Sequence, residues 1–425
     1  MTDATVSIPQ VQAKATSKPD ASGLALWLHL VVFLASALIV VSHRPDAILN
    51  PQFWAEDGRV FYAEAHNFGG WRVLFHPYGG YLNLVPRLAA AMVQIFPLVA
   101  APLLFNLVAI FFQVLPINFF LSSRFASLAS LRTRLLLSFL YLALPNDSEL
   151  DANLTSIQWH LALLLCLVFM ASPARSMWWR CFDLMVVVLG MLTGPFAILL
   201  LPLAGAAWWV WERRDRWTFA LLAALATGAL IQLLMLVRTG ADARVPGALG
   251  ASPLWLARIL APQVFLGALI AKNRLPYYPG FAVLIAIAGI AILLYALWSG
   301  SREIRLFIVF ASTVLGASLL NPIAPAPKWA MLSIHFGIRY WFLPMLAFVA
   351  SLVWMAGAQR PRSLRIAAAI ILLLMPIGVV RDWRYLHFAD LHFGDYARKY
   401  SDSPKGSSLV IPLNPPGWSM TLMKP

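Results

Sequence analysis

The chain has 425 residues, of which 60% are hydrophobic and only 12% are charged, and its formal net charge is +14. A soluble domain carries about a quarter charged residues, so this composition excludes a soluble globular protein and predicts an all-α polytopic membrane protein. The Lys and Arg residues are scattered in ones to threes between apolar segments. That pattern favours topology signals and contacts with the lipid bilayer, and argues against a nucleic-acid partner.

The apolar segments predict eleven membrane spans. Residues 1–22 are polar and predict a disordered cytoplasmic tail. Residues 23–41 are long enough to cross the hydrocarbon layer, and neither a basic segment nor a small-residue cleavage site flanks them, so we interpret them as a retained first span. Residues 84–97 predict a further short span or an interfacial helix. The eleven spans are 23–42, 98–121, 133–145, 157–171, 181–193, 195–211, 217–237, 279–298, 304–320, 338–356 and 364–381.

Short basic loops set the predicted orientation, because positive loops stay on the cytoplasmic side of a bacterial inner membrane. Eleven spans put five such loops on the side of the N-terminal tail: 124–134, 175–180, 213–216, 302–305 and 360–365. The periplasmic segments are then 43–97, 146–156, 238–278, 321–337 and 382–425. Twelve of the 18 acidic residues fall in these segments, so chemistry that needs carboxylates is expected on the periplasmic face.

We therefore divide the chain into three parts: the tail at 1–22, a transmembrane bundle at 23–381 that includes the first periplasmic loop 43–97, and a short periplasmic segment at 382–425. No Gly-rich phosphate loop, HExxH, GxSxG or paired CxxC motif occurs in the sequence. We expect no cofactor, and the sequence does not support a divalent metal. No acidic residue lies at the centre of a predicted span, and the nearest exception is Asp183, which lies near the cytoplasmic end of its span. The carboxylate that typically lines the ion pathway of a pump is therefore missing.

The stretch FWAEDGRVFYAEA at 53–65 places two adjacent acids between aromatic pairs. In a helix, neighbouring side chains diverge by about 100°, so Glu56 and Asp57 cannot form one carboxylate dyad. Asp57 shares a flank with Phe53 and Phe61, which predicts an amphipathic helix at the membrane surface with its aromatic side toward lipid or the bundle. One acid can then face a membrane-level cleft as a general base for a hydroxyl. A solvated, salt-bridged pair is the alternative.

A long first outer loop with an acidic pair soon after the first span resembles the GT-C glycosyltransferases. The stretch HPYGGYLNLVPRL at 76–88 is also similar to bacterial members that handle polysaccharide precursors. The resemblance implies a membrane enzyme that transfers a sugar from a polyprenyl-phosphate carrier to a cell-envelope glycan or glycolipid, with inversion. It implies Asp57 as the base, with Glu56 in orientation or acceptor binding.

A phosphate leaving group needs cations, and Arg is suited to bidentate phosphate contacts. Arg87 and Arg339 lie where polar loops turn into apolar helices, and Lys272 and Arg274 form a third cationic patch in AKNRLPYYPG. We interpret all four as candidates for the donor phosphate. Arginines at the ends of spans are equally typical of snorkelling topology anchors, and the Lys272 patch is equally consistent with a solvated loop.

Polar and aromatic side chains near the predicted outer face are candidates for sugar and acceptor contacts. They are His76, Tyr78, Asn153, Gln158, Trp159, His160 and His335. Trp159 can stack on a sugar face, while Asn153 and Gln158 suit its hydroxyls. An interfacial Trp belt with polar caps is the alternative for this group, and a hydrogen-bonded histidine within the bundle is the alternative for His160.

The stretch IPLNPPGWSM near the end of the chain predicts an extended, turn-rich course, either as a lid over the outer cavity or as an ordinary docked tail. Two further functions remain open. A transporter or flippase for lipid-linked oligosaccharide predicts essential charges along a central cavity. A polysaccharide polymerase or ligase predicts outer-loop arginines acting on a diphosphate carrier.

Overall fold

The computed structural model describes residues 24–211, 215–239, 246–272, 278–334 and 336–425, so the predicted tail at 1–22 lies outside the described residues. The helices up to residue 239 are α1 (Leu26–His43), α2 (Asp46–Leu49), α3 (Ala63–Phe68), α4 (Leu84–Val93), α5 (Ala101–Phe120), α6 (Leu131–Leu142), α7 (Ile157–Met170), α8 (Met177–Met191), α9 (Phe196–Val210) and α10 (Arg216–Thr239). The later ones are α11 (Pro253–Ile259), α12 (Gly267–Ile270), α13 (Pro279–Ser299), α14 (Arg302–Leu320), α15 (Lys328–Ser333), α16 (Phe342–Met355), α17 (Arg362–Leu372), α18 (Met375–Asp382) and α19 (Phe393–Asp402). Two strands follow, β1 (Ser408–Leu413) and β2 (Trp418–Met423).

Eight helical segments among the described residues are long and apolar enough to cross a membrane, which confirms the predicted helical membrane class. Seven of them coincide with predicted spans: Leu26–His43, Leu98–Phe120, Arg216–Thr239, Pro279–Ser299, Arg302–Leu320, Ile338–Met355 and Arg362–Asp382. The four other predicted spans correspond to the shorter helices α6, α7, α8 and α9. The total of eleven spans and their orientation remain predictions.

The eighth segment, Pro253–Ile270, lies where the sequence predicted a loop between residues 238 and 278. It consists of α11, a π-helix at Leu260–Phe265 and α12, and it packs against α13 and α16. Arg258 and Pro262 interrupt its apolar run, which explains why the prediction missed it. Pro262 lies in the π-helix, where the i to i−4 hydrogen bonds of an α-helix are replaced by longer-range ones. The missing N–H of the proline therefore breaks no regular α-helical hydrogen bond there.

The first loop folds into a helix whose aromatic side faces the bundle, because Phe53 and Phe61 are buried and the Phe53 ring lies 5.1 Å from the Phe105 ring of α5. The depth of this helix relative to the membrane surface remains a prediction. A π-helix at Asp57–Tyr62 runs into α3, and Val60 and Phe61 are buried within it. This π-helix packs against α4 and β2. A Cβ atom on Gly58 would lie 2.9 Å from the Leu413 side chain, so glycine allows the loop to approach the end of the chain closely.

Residues 393–423 form a helix and a two-stranded hairpin, so a small sheet accompanies the predicted helical fold, and the stretch at 411–420 takes the predicted extended, turn-rich course. Strands β1 and β2 pair antiparallel, with Leu413 opposite Trp418. The hairpin turn joins the first loop, because Asn414 forms a parallel bridge with Trp54 and the amide of Ala55 donates to the Asn414 carbonyl oxygen at 2.5 Å. Pro415 and Pro416 lie in the turn, where no ladder hydrogen bond is lost, whereas Pro412 lies in β1 opposite Ser419.

Buried polar contacts fix the loop at residues 146–156. The Nδ1 atom of His43, in α1, lies 2.9 Å from the Oδ2 atom of Asp151. The Tyr385 hydroxyl donates to the Asp147 carboxylate at 2.7 Å. Burial raises the pKa of Asp147 well above its ordinary value, and the neighbouring charge of Asp151 raises it further. Side chains from two distant parts of the chain, His43 and Tyr385, therefore hold this loop in place.

Candidate active site

A cavity of about 900 Å³ lies between the first loop, the 146–156 loop, the hairpin turn and the helices α9, α10 and α14. We call it the Glu56 cavity. Its polar end is lined by Glu56, Tyr78, Tyr81, Asn83, Glu149, Thr155, Gln158 and Arg339. Its other walls are apolar faces of helices, including Phe196, Leu199, Leu236, Val314 and Ala317. The cavity therefore combines a polar head and an apolar body.

The Glu56 carboxylate is half-buried and lies in the cavity wall. The Tyr78 hydroxyl donates to its Oε1 atom at 3.3 Å. Burial raises the pKa of Tyr78, and the charge of Glu56 raises it further, so the phenol keeps its proton and remains a donor. Asn83 fixes the turn that carries the tyrosine by donating from Nδ2 to the carbonyl oxygens of Tyr78 and Tyr81 at 3.0 and 3.1 Å.

Asp57 does not line the cavity, although the sequence favoured it as the base. Its side chain is 1% exposed, and its carboxylate accepts from the Leu154 amide at 3.2 Å and from the Thr155 hydroxyl at 2.6 Å. Burial raises the pKa of Asp57 to about 7, although the hydrogen bond from Thr155 opposes the shift. The adjacent acids thus face different partners: Glu56 faces the cavity and Asp57 faces the 146–156 loop.

Among the described residues, Arg339 is the one arginine that lines the Glu56 cavity. Its guanidinium forms an ion pair with Glu149, and its backbone amide donates to the Glu149 Oε2 atom at 3.2 Å. The guanidinium also lies 5.1 Å from the centre of the Tyr340 ring. The Arg339 and Glu149 side chains are 27% and 21% exposed, so an anion in the cavity can reach the guanidinium.

Besides Tyr78 and Tyr81, four aromatic side chains line the polar part of the cavity: Trp54, Trp159, Tyr340 and Trp418. Trp54 and Trp418 are half-buried, and each is held from behind. Trp54 stacks on Phe388 at a centroid distance of 5.1 Å, and the Arg59 guanidinium lies 5.4 Å from the centre of the Trp418 ring. Such rings offer flat apolar surfaces beside hydrogen-bonding groups, which suits a sugar.

Gln158 and Trp159 line the cavity as polar and aromatic neighbours at the start of α7. The Nε2 atom of Gln158 donates to the Tyr81 hydroxyl at 3.3 Å. Gly194 has a φ of +88°, and a Cβ atom there would lie 2.4 Å from the Oε1 atom of Gln158. Glycine is therefore required where the chain passes behind this amide.

Two of the four predicted cationic residues, Arg87 and Lys272, do not lie in the cavity wall, and a third, Arg274, is not described. Arg87 is 1% exposed, and its Nη1 atom donates to the Glu64 carboxylate at 2.7 Å, so it is a buried structural group. Lys272 lies at the end of α12, where its carbonyl oxygen accepts from Arg381. Arg274 lies outside the described residues. Among the candidates that the structure describes, Arg339 is therefore the one that can contact the donor phosphate from the cavity wall.

Three candidates for acceptor contacts also lie away from the cavity wall. His76 is exposed, 4.0 Å from the Glu64 carboxylate. Asn153 is buried and donates to the Glu149 carbonyl oxygen at 3.1 Å. His160 is buried in the bundle, with its Nδ1 atom 2.8 Å from the Tyr141 hydroxyl, which matches the alternative considered for it. His335 lies outside the described residues.

Four residues line the cavity although the sequence did not predict them as site residues: Trp54, Tyr81, Glu149 and Trp418. Trp54 and Tyr81 lie within motifs that were singled out, so proximity in the sequence could have indicated them. For Trp418, the sequence showed only an aromatic residue next to a Pro/Gly turn. Its position in the cavity wall depends on how the hairpin packs against the first loop. Within the described ranges, no group of three or more His, Cys, Asp or Glu residues could hold a metal ion.

The helices and their apolar composition define a multi-pass membrane protein. No protein-family model and no curated protein sequence matches this chain. Among solved structures, the chain is similar to the arabinofuranosyltransferase AftD from Mycobacteria, with 16% sequence identity and a TM-score of 0.44. The similarity covers 96% of this chain and 31% of that protein, so this chain spans about a third of the length of AftD.

Proposed function

We propose that this chain is an integral membrane glycosyltransferase that moves a sugar from a polyprenyl-phosphate donor to a cell-envelope glycan or glycolipid. The reaction would take place on the periplasmic face of a bacterial inner membrane. The observation that carries the proposal is the two-part Glu56 cavity: a carboxylate, an arginine and aromatic rings at one end, and apolar helix faces at the other. A donor with a phosphate head and a hydrocarbon tail has the same two-part character.

Arg339 is the proposed contact for the donor phosphate. The guanidinium can form two parallel hydrogen bonds to phosphate oxygens, and the low polarity of the surrounding helices strengthens such contacts. Glu149 forms an ion pair with this guanidinium. A phosphate that binds there competes with the Glu149 carboxylate, so the guanidinium keeps an anionic partner when the donor binds. The hydrocarbon chain would then extend along α9, α10 and α14.

In the proposed step, the Glu56 carboxylate accepts the proton of an acceptor hydroxyl, and the hydroxyl oxygen forms a bond to the anomeric carbon of the donor sugar. The bond between that carbon and the phosphate oxygen breaks, and polyprenyl phosphate leaves with the bonding electrons. Attack opposite the leaving group inverts the configuration. Arg339 stabilises the charge that develops on the phosphate. The step uses groups of the chain itself and no metal.

Asp57 is proposed as a positioning residue. Its two hydrogen bonds join the backbone next to Glu56 to Leu154 and Thr155, and Thr155 also lines the cavity. The 146–156 loop carries Glu149, the partner of Arg339. Asp57 therefore couples the position of the proposed base to that of the proposed phosphate contact, which is the kind of second layer that orients catalytic groups.

The test uses purified protein, a radiolabelled polyprenyl-phosphate sugar and candidate acceptor glycolipids. Glu56→Gln is expected to lower kcat by about 10²–10⁴-fold, the usual contribution of a general base. Asp57→Asn is expected to cost less, and Asp402→Asn, which removes an exposed carboxylate, should behave like wild type.

Two results would contradict the proposal at different points. An inactive Asp57→Asn beside a fully active Glu56→Gln would return the role of base to Asp57. Transfer that is unchanged in both variants would reject the carboxylate mechanism. Intact labelled donor that crosses the bilayer of proteoliposomes without transfer to any acceptor would instead support the transporter function.

A further inference from the structure

A second cavity has a volume of about 550 Å³. It lies at the opposite end of α7 and α14, which line both cavities, and of α16, which follows Arg339 and Tyr340 in the chain. We call it the Arg360 cavity. Along α14, the Glu56 cavity contacts residues from Val314 onward, whereas the Arg360 cavity contacts Glu303 to Phe307. The order is the same in α7, where Trp159 faces one cavity and Met170 the other. The two cavities therefore face opposite sides of the membrane that the helices span.

The interior of the Arg360 cavity is apolar. It is formed by side chains of α5, α6, α7, α14 and α16, among them Ile117, Leu163, Leu167, Leu346 and Val353. A cavity of this size is within the range of about 300–1,000 Å³ that is typical of small-molecule sites. Because it lies between membrane-spanning helices, a hydrocarbon chain is the chemistry that fits its walls.

The mouth of the cavity carries one cation and one anion. Arg360 follows α16 and Glu303 lies in the first turn of α14, and both line the opening together with Ser301. The Arg360 guanidinium lies 3.8 Å from the centre of the Trp354 ring. Neither Glu303 nor Arg360 forms an ion pair with another side chain in the described part of the chain. Opposite charges thus stand at one opening without neutralising each other.

We propose that the Arg360 cavity binds one molecule of a phospholipid whose headgroup carries both a phosphate and a primary ammonium, as in phosphatidylethanolamine. One acyl chain occupies the apolar interior, the phosphate contacts Arg360, and the ammonium donates to Glu303. The bilayer is as apolar as the cavity, so transfer of the chain gives little driving force. Selection therefore depends on the headgroup, and the pair of opposite charges selects a zwitterion that can donate hydrogen bonds.

The experiment measures the lipids that remain with the protein. Full-length protein is reconstituted in vesicles that contain equal amounts of phosphatidylethanolamine, phosphatidylcholine and phosphatidylglycerol, and is re-extracted in mild detergent. Bound lipid is then quantified by mass spectrometry. Phosphatidylethanolamine is expected to be enriched over both competitors in the wild type. Glu303→Gln and Arg360→Gln should each lower that enrichment about tenfold, the factor expected for one hydrogen bond to a charged group.

Matched controls separate the site from general lipid contact. Arg365→Gln removes an exposed cation from α17 without touching the cavity and should leave the enrichment unchanged. Ala350→Phe fills the interior and should displace the lipid while the mouth stays intact; its thermal unfolding midpoint, compared with that of the wild type, shows whether it folds. Equal retention of phosphatidylglycerol and phosphatidylethanolamine would overturn the proposal, as would enrichment that survives in both mouth variants.

Discussion

Replacing Asp57 by asparagine is expected to reduce the pH dependence of stability. Burial raises the pKa of the folded protein's Asp57 carboxyl to about 7 from an ordinary value of 3.8. The folded state therefore binds this proton more tightly than the unfolded chain does. For a group with a raised pKa, the stabilisation is fully present below the unfolded pKa and is lost as the pH rises through the folded value. Asp57 thus stabilises the fold at low pH and ceases to do so near pH 7.

The size of the effect follows from the two pKa values. The interval between 3.8 and about 7 corresponds to roughly 4 kcal/mol, at about 1.36 kcal/mol for each pH unit. Asparagine is neutral at every pH and nearly isosteric, so the variant lacks this contribution to the slope. For a chain of 425 residues, 1 kcal/mol changes the unfolding midpoint by about 1 °C. Between pH 4.5 and 8.5, which covers about 2.5 pH units of this interval, the wild-type midpoint should therefore fall by about 3 °C more than that of Asp57→Asn.

The assay follows tryptophan fluorescence during heating of detergent-solubilised protein across this pH range. Asp147 is buried in both proteins and contributes equally to both curves, so the difference between them isolates Asp57. Asp402→Asn removes an exposed carboxylate and should give a curve parallel to that of the wild type. Parallel curves for wild type and Asp57→Asn would refute the reasoning, because the buried carboxyl would then titrate alike in the folded and unfolded states.

Three further predictions concern the cavity and the hairpin. Arg339→Gln should lower kcat/KM for transfer by about 10²–10³-fold. Arg339→Lys should lower it by less, because lysine keeps the charge but cannot form the two parallel hydrogen bonds of the guanidinium. Equal losses in the two variants would exclude a bidentate contact between Arg339 and the phosphate. Trp418→Ala should raise the KM for a sugar substrate by roughly 2- to 12-fold, with Trp418→Phe close to wild type, and an unchanged KM would remove the ring from the binding surface. Asn414→Ala removes two buried hydrogen bonds to Ala389 and should destabilise the protein by about 2–4 kcal/mol in thermal unfolding, whereas an equal loss in the exposed Ser419→Ala would point to a general effect.

The membrane helices could be predicted from the sequence because each depends on a local run of apolar residues. Seven of the segments long enough to span were predicted within a few residues of their ends. The segment Pro253–Ile270 could not be predicted in this way. Its stability depends on contacts with α13 and α16, and those contacts outweigh the local cost of Arg258 and Pro262.

The motif around Glu56 was also visible in the sequence, but the division of roles between the two acids was not. Which acid faces the cavity depends on the π-helix and on the hydrogen bonds from Leu154 and Thr155, both of which arise from tertiary packing. The same holds for Arg87, whose partner Glu64 comes from a different helix. Charge and position near a helix end do not distinguish a buried ion pair from an open binding group.

The docking of the hairpin has a consequence for biosynthesis. Trp54 and Glu56 leave the ribosome early, whereas Pro415 and Trp418, which belong to the same cavity wall, are translated after every helix. A nascent chain therefore holds an incomplete pocket throughout membrane insertion. A truncated translation product that ends before β1 would lack the part of the wall that Pro415 and Trp418 supply.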